Sequence, residues 1–577
     1  MKSIYERTKA ELTEGVSAAP GRPVTFLLNK EEGDTPHSCT RYEWNGDLSD
    51  LLIFATRALK GGSGVKVTFP VDTELRSTID DTGNPFQGWK VYIDAKHAEA
   101  QVINTRPNAI KKAALKKEGL RILKIADSIE GADGILDSWN KLCSYWSWEN
   151  VVIDLSNIRP AGTLNSNGLK ASGAESFLSI YEAIAVYLEA GTIEALIKLL
   201  GVLNSVIRRG GKKKGIITSS MSSRSPLIED YLNIPIVEVQ GSHKKGVVFH
   251  NSAYQYPKLI DAIVKSRNEE STFIEKECPQ GLAFNVCMGL VLGHKATCLI
   301  WRLNLGKCEV MGIREAMKQS ALDLCELHTT WRKRLPELAS YYAPLEKDRQ
   351  IGLDVMGLAN LLAIEDVTYQ QFADALDVLL NGASIFGVNQ KAHLIASQLI
   401  LGYHEATQVC DEYMRAKDLP LLDRIFTVEP AQSHAYESTD RLGKTICRGI
   451  FAPTGRVVNR SSQSQANKRY FHGNVETDVM VGVDLHERLC DLWQQMMDRT
   501  GRSHGISQDS WSEMTVTSLA KFKDRPSKTL YYAEAANYNQ RGFLGKKVQS
   551  VDVVEFSSPE EEAYEVPRKG ECLACAG

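Results

Sequence analysis

The residues best equipped for chemistry in this sequence are cysteines, of which there are twelve. Three places stand apart. Cys572 and Cys575 form a CxxC pair in the terminal ECLACAG, within a segment too polar to be core. Two thiols at that spacing on an exposed tail suit thiol–disulfide exchange, either with another site on the chain or with a reductant. A metal-binding tail would need two more ligands, which the segment does not supply. The second place is NVCMGLVLGHKATC, residues 285–298, with Cys287, Cys298 and, two residues before Cys287, Asn285. On a strand, Asn285 and Cys287 share a face, so an amide and a thiol would meet one ligand. An apolar strand with two incidental cysteines is the plain alternative. The third place is Cys39 in HSCTRYEWNGD. The others, such as Cys325, Cys410 and Cys447, lie in apolar or helical stretches and read as small buried hydrophobes. No two CxxC pairs stand at zinc-ribbon spacing, so no metal site is expected.

The elements that must position these residues follow from composition and pattern. A chain of 577 residues, 43% hydrophobic and 24% charged, can build one large α/β core with additions. A formal net charge of −3 gives no global basic field, so no nucleic-acid partner is expected. No apolar run approaches the roughly 18 residues of a membrane span, and MKSIYERTKAELTEG has no apolar signal core. A cytoplasmic location with reduced thiols is the expectation. Residues 48–60 read as an amphipathic helix ended by GGSGV, and VKVTF as the strand after it. Residues 105–125 read as basic and helical, and VVIDL at 151–155 as a buried strand. A loop rich in Gly, Asn and Ser occupies 159–173. Residues 174–209 read as one or two long helices, ending at a cationic turn, RRGGKKKG. Short apolar runs then alternate with helical stretches to about residue 520, with a long helical run over 355–430, which argues for an α/β architecture. The last thirty residues are acidic and poor in large apolar groups, as in a flexible tail.

Five segments, in order, resemble the catalytic subunits of ribonucleotide reductases. They are NIRPAGTLNSNGLKASGAESF (157–177), RRGGKKKGIITSSMSS with the following LIEDYLNI, RQIGLDVMGLANLL (349–362), FAPTGRVVN (451–459) and SKTLYY (527–532). The resemblance implies a ten-stranded α/β barrel with a central finger loop, spanning 36–545, after a lead-in over 1–35 and before a redox tail over 546–577. It places the thiyl-radical residue at Cys287, the reducing pair at Cys39 and Cys298, and the tail pair at Cys572 and Cys575. Asn285 would hold the ribose hydroxyls. Two thiols would protonate the departing 2′-hydroxyl and supply two electrons, leaving a Cys39–Cys298 disulfide for the tail pair to reduce.

The same resemblance implies substrate contacts at Ser38 and Gly62 and a phosphate loop at Pro453, Thr454 and Gly455, where backbone N–H groups at a helix start suit a phosphate. Loops 159–173 and 208–219 would read an effector nucleotide at a homodimer interface, with Asp47, Arg159 and Lys212 as candidate contacts. The segment before Cys39 is short, so no N-terminal ATP-binding switch domain is expected. Gly289 departs from the family, which has Glu two residues after the radical cysteine to take the 3′-hydroxyl proton; Glu275 and Glu277 are the nearby carboxylates that could replace it. Adjacent Tyr531 and Tyr532 suit a stepwise radical relay from a ferritin-like, dimetal small (beta) subunit, in which case no cofactor binds this chain directly. The compact size and the 11-residue spacing of Cys287 and Cys298 instead suit an adenosylcobalamin enzyme. The tyrosines favour the first. A diphosphate substrate is favoured over a triphosphate, with thioredoxin or glutaredoxin as reductant. A degenerate nucleotide-binding paralogue, supported by Gly289, and a thiol oxidoreductase unrelated to nucleotides are the alternatives.

Overall fold

The computed structural model describes residues 37–75, 89–92, 99–103, 113–114, 121–144, 151–164, 171–209, 213–214, 216–240, 243–384, 386–428, 450, 476, 478–510 and 514–533. Two compact units divide the chain, one of residues 42–246 and one of residues 1–41 with 247–577. Strand β1 (Cys39–Glu43) and strand β11 (Lys244–Phe249) each cross the division.

In the unit of residues 42–246, the expected helix runs from Leu48 to Lys60, and the Asp47 side chain caps it by accepting the Asp50 N–H at 3.0 Å. Strand β2 (Gly64–Phe69) pairs in parallel with β10 (Ile217–Ser222). A second sheet has the order β5-β4-β3-β7-β6, from β3 (Trp89–Tyr92), β4 (Glu99–Ile103), β5 (Ala113–Ala114), β6 (Arg121–Lys124) and β7 (Val151–Asp154). The helical reading of 105–125 is therefore corrected where it is described: residues 113–114 and 121–124 are strands. Their backbone partners come from β4 and β7, and that tertiary pairing overrides a local preference. Two helices, Ala174–Ala190 and Ile193–Val206, fill the stretch read as helical. The cationic segment after them is a hairpin of β8 (Arg208–Arg209) and β9 (Lys213–Lys214).

In the other unit, β12 (Phe273–Lys276) is followed by a small hairpin, β13 (Ala283–Phe284) and β14 (Val291–Leu292), and by the two-residue β15 (Thr297–Cys298). The main sheet runs β12-β20-β19-β18-β17-β16, with β16 (Ile300–Asn304), β17 (Gln350–Met356), β18 (Arg424–Val428), β19 (Ser503–Ser510) and β20 (Thr529–Ala533). All neighbours in it are parallel except β12 with β20. Three helices, Leu358–Glu365, Tyr369–Asn381 and Gln390–Ala416, occupy the run read as helical over 355–430, but its ends belong to β17 and β18. The aromatic and β-branched RIFTV fits a strand paired on both sides. Gly357, at φ 76°, turns β17 directly into the helix that follows.

Strand alternation divides this sheet into two chemical faces. Trp301, Leu303, Ile351, Leu353, Val355 and Phe426 join the apolar core beneath helices Ile313–Arg334, Gln390–Ala416 and Val483–Asp498. The residues between them are buried yet polar: Arg302 and Asn304 on β16, Gln350 and Asp354 on β17, Thr427 on β18. A buried face of this kind is costly unless its groups are bonded or serve a site.

Candidate active site: a hairpin loop moored to the polar face

The strand expected to carry Asn285 and Cys287 stops at Phe284. Residues 285–290 are the turn of the β13–β14 hairpin, and Met288 sits at φ 60°. The two residues therefore do not share a strand face. The reason lies in Asn285, whose Oδ1 accepts the N–H groups of Gly289 at 2.9 Å and Leu290 at 3.1 Å, while its own N–H donates to Leu290 O at 2.7 Å. The side chain closes the loop in place of a ladder.

The other end of the same amide reaches the sulfurs. Asn285 Nδ2 donates to Cys298 Sγ at 2.9 Å and to Cys39 Sγ at 3.2 Å. With two donors and two acceptor positions used, the amide is fully satisfied. Cys39 and Cys298 are directly opposite in the antiparallel pairing of β1 with β15, and no disulfide joins them. Opposite residues in such a ladder have Cα atoms about 4.5–5.5 Å apart, inside the range a disulfide spans. Asn285, Cys39, Cys287 and Cys298 are all fully buried. One side chain thus ties the loop of Cys287 to the two cysteines expected to act as a pair.

The sheet holds the loop from several strands. Phe284 and Val291 face each other in the hairpin, and each N–H goes to a sheet side chain: Phe284 to Glu275 Oε2 at 3.1 Å, Val291 to His504 Nδ1 at 2.9 Å. His504 Nε2 in turn donates to Ile351 O at 2.7 Å. Since Nδ1 accepts, the proton belongs on Nε2, and burial pushes the imidazole pKa down to about 3, so the ring is neutral. Three successive carbonyls at the loop tip each meet a hydroxyl. Ser507 on β19 donates to Cys287 O at 3.4 Å, Thr529 on β20 to Met288 O at 3.4 Å, and Thr427 on β18 to Gly289 O. On β17, a Cβ added to Gly352 would stand 2.9 Å from Leu290 Cδ1, so glycine there admits the loop.

The remaining expected residues are placed as follows. Ser38 is buried beside the pair, its N–H donating to Cys298 O at 3.0 Å. Gly62, at φ 83°, ends the helix Leu48–Lys60 in the other unit. Asp47 caps that helix, and Arg159 Nε pairs with Asp127 at 2.6 Å. Glu275 binds the hairpin stem, whereas Glu277 is partly exposed, 3.6 Å from His250. Tyr531 and Tyr532 lie on β20, two and three residues beyond Thr529. Lys212, Pro453, Thr454, Gly455, Cys572 and Cys575 lie outside the described residues. Sequence reasoning did not single out His504, Thr427, Ser507 or Gly352. Of these, Gly352 carried a signal, since it sits inside a resembling segment, as Thr529 also does.

No protein-family model matches the chain, and no curated protein sequence does. Among solved structures it is similar to a B-12 dependent (class II) ribonucleotide reductase, with a TM-score of 0.56 and 11% identity over 93% of this chain and 86% of that one. It also matches the Actinobacillus ureae class Id ribonucleotide reductase alpha subunit, with a TM-score of 0.45 and 10% identity over 92% of this chain and 93% of that one. An anaerobic ribonucleotide reductase matches with a TM-score of 0.36 and 10% identity over 61% of each chain. The first likeness shows the fold: the α/β barrel class expected from the sequence is the one this chain has. No helix among the described residues is long and apolar enough to cross a membrane.

Proposed function

We propose that the chain is the catalytic subunit of a ribonucleotide reductase that acts through a thiyl radical at Cys287. The observation that carries this reading is the Asn285 amide, bonded at once to Cys39 and Cys298 and to the backbone of the loop that bears Cys287. A core of incidental cysteines has no use for a buried amide shared between two opposed thiols. In the reaction, the Cys287 sulfur takes the hydrogen atom from ribose C3′. The 2′-hydroxyl leaves as water after protonation by one thiol of the pair. Cys39 and Cys298 supply two electrons and two protons and become a disulfide, and Cys287 returns its hydrogen atom to C3′. One ribonucleotide and two thiols thus give one deoxyribonucleotide, one water and one disulfide. The tail pair, Cys572 and Cys575, would then reduce that disulfide by exchange and pass its own to thioredoxin or glutaredoxin.

Cys287 is fully buried, so its oxidant either reaches it through redox side chains or binds beside the loop. The strand of Thr529, which bonds the loop tip, also bears Tyr531 and Tyr532, and this favours a relay from a ferritin-like partner subunit. Adenosylcobalamin is the second reading, favoured by the fold likeness to a B-12 dependent enzyme. Diphosphates are the proposed substrates, with a nucleotide effector and a homodimer. The test is deoxynucleotide formation by the purified chain with dithiothreitol and a nucleoside diphosphate or triphosphate. Adenosylcobalamin is added in one arm and a metal-loaded ferritin-like protein in the other. Product in either arm, abolished by Cys287→Ser, supports the reading and identifies the radical source. No product in both arms, with nucleotide binding retained, would establish a degenerate paralogue instead.

A further inference from the structure

We propose that Asp348 is a positioning residue for the Cys39–Cys298 pair, acting through Thr297; this rests on the dithiol reading above. Strand β15 has only two residues, and its ladder with β1 only two pairs, Cys39 with Cys298 and Thr40 with Thr297. So short a ladder does little to hold its own register. Besides the Asn285 amide at the sulfurs, the side-chain support of its neighbour holds Cys298 opposite Cys39. Thr297 gives both of its donors to one oxygen: its N–H lies 3.1 Å and its hydroxyl 2.6 Å from Asp348 Oδ2. Across the ladder, the Thr40 hydroxyl donates to Ala296 O at 2.6 Å.

Asp348 is itself fully buried and held from two directions. Arg332, on the helix Ile313–Arg334, donates to the same Oδ2 at 2.5 Å, and His328 Nε2 donates to the Asp348 backbone carbonyl at 2.8 Å. Burial pushes the His328 pKa down to about 4, in keeping with a neutral donor. The clasp closes behind β15. Arg332 also donates to Ala343 O at 3.1 Å, the Ala343 N–H to Lys295 O at 2.9 Å, and the Lys295 N–H to Arg41 O at 2.7 Å. Residues 295–297 are thus tied to a buried ion pair on one side and to β1 on the other. Charge-assisted bonds of this kind are the stronger and more directional ones. The Asp348 carboxylate bonds Thr297 and Arg332, so its effect on the pair passes through Thr297 and is one of placement.

The test reads the redox equilibrium of the pair in the full chain and needs no radical source. Protein is equilibrated in glutathione buffers, quenched with acid and alkylated, and the Cys39–Cys298 disulfide is measured by peptide mass spectrometry. In each event the two thiols give two electrons and two protons to one glutathione disulfide, releasing two glutathione thiols. Asp348→Asn should lower the equilibrium constant for disulfide formation about tenfold, which is about 30 mV toward easier reduction for a two-electron couple. Thr297→Val, which leaves the Arg332–Asp348 pair in place, should lower it about threefold through the loss of one bond. Thr297→Ser keeps the hydroxyl and should restore the wild-type constant. If Asp348→Asn fails to fold, the two Thr297 variants decide. A wild-type constant in Thr297→Val overturns the proposal, as does a Thr297→Ser variant that behaves like Thr297→Val. A wild-type chain that never forms this disulfide while others form would overturn the dithiol reading itself.

Discussion

Gly352→Ala is the smallest change that should move the loop of Cys287. The added Cβ would lie 2.9 Å from Leu290 Cδ1, 3.2 Å from Leu290 Cδ2 and 3.1 Å from Ile300 Cγ1. Carbon atoms rest at about 3.5–4.0 Å, so Leu290 must retreat by roughly 0.5 Å or more. Leu290 is fully buried, and its backbone is bonded at both N–H and carbonyl to Asn285. The displacement therefore passes to the amide that holds Cys39 and Cys298. Overpacking of this size costs about 1–3 kcal/mol in stability. Misplacement of a reacting group by 1 Å costs about a hundredfold in rate, so a shift of half that size predicts a loss of roughly tenfold. Denaturant unfolding gives the first quantity and the turnover number for deoxynucleotide formation the second. Gly312→Ala is the control, since a Cβ there meets nothing within 4 Å and the backbone φ is −87°. Leu290→Val in the Gly352→Ala background should recover part of both losses, giving a coupling energy of at least about 0.5 kcal/mol. Wild-type turnover in Gly352→Ala with unaltered stability would refute the idea that the sheet sets the position of the loop.

Other consequences follow from polar groups buried elsewhere in the chain and beside the loop. Burial lowers the pKa of His243, His486 and His504 to about 3 and of His328 to about 4, against an ordinary value of 6.5. The unfolded chain then binds protons first, so stability is full above about pH 6.5 and declines as pH falls toward 3–4, by up to about 1.4 kcal/mol per pH unit for each histidine. Urea midpoints between pH 7.5 and 5 will show this decline, and a flat profile would contradict the neutral histidines. Removing the Thr427 hydroxyl in Thr427→Val should cost about 1 kcal/mol in stability and lower the turnover number with little change in KM. Arg302 and Asp354 form a buried ion pair at 2.8 Å, so Asp354→Leu alone should cost about 3–5 kcal/mol by taking the carboxylate away from a buried cation. Replacing both by leucine should cost much less, as unfolding curves of the two variants will show.

Much of this architecture was legible from residue order. The helix at 48–60, the strands at 64–69 and 151–154 and the paired helices over 174–206 follow from periodicity and glycine punctuation. The strands at 113–114 and 121–124 did not, because their pairing partners lie ten or more residues away and the local composition is basic. The cysteines at 39, 287 and 298 stood out in the sequence, but a pairing of Cys39 with Cys298 came only from the family resemblance; the structure brings these two into register as opposed residues. What sequence could not supply was the part played by backbone. Asn285 reads as a substrate amide, yet each of its hydrogen-bonding positions has a partner in the protein, two on sulfur and two on loop N–H groups.

That satisfaction bears on how the site would work. A fully bonded amide cannot take a ribose hydroxyl without giving up one of its four contacts, and those made to sulfur are the weaker acceptors. Substrate arriving at the pair would therefore compete for Nδ2 rather than Oδ1, because releasing Oδ1 would free the N–H groups of Gly289 and Leu290 and open the loop. Asn285→Asp separates the two functions. It keeps the acceptor that closes the loop and removes the donor to both thiols, placing a carboxylate beside Cys39 and Cys298. Like charge disfavours thiolate, so the pH at which the pair becomes reactive toward a maleimide should rise by about one unit or more. Asn285→Leu removes both functions and should also release the loop, seen as faster amide exchange at Gly289 and Leu290. Equal exchange in the two variants would mean that Oδ1 does not hold the loop, and the hydroxyls of Thr427, Ser507 and Thr529, with Glu275 and His504 at the stem, would then have to do so.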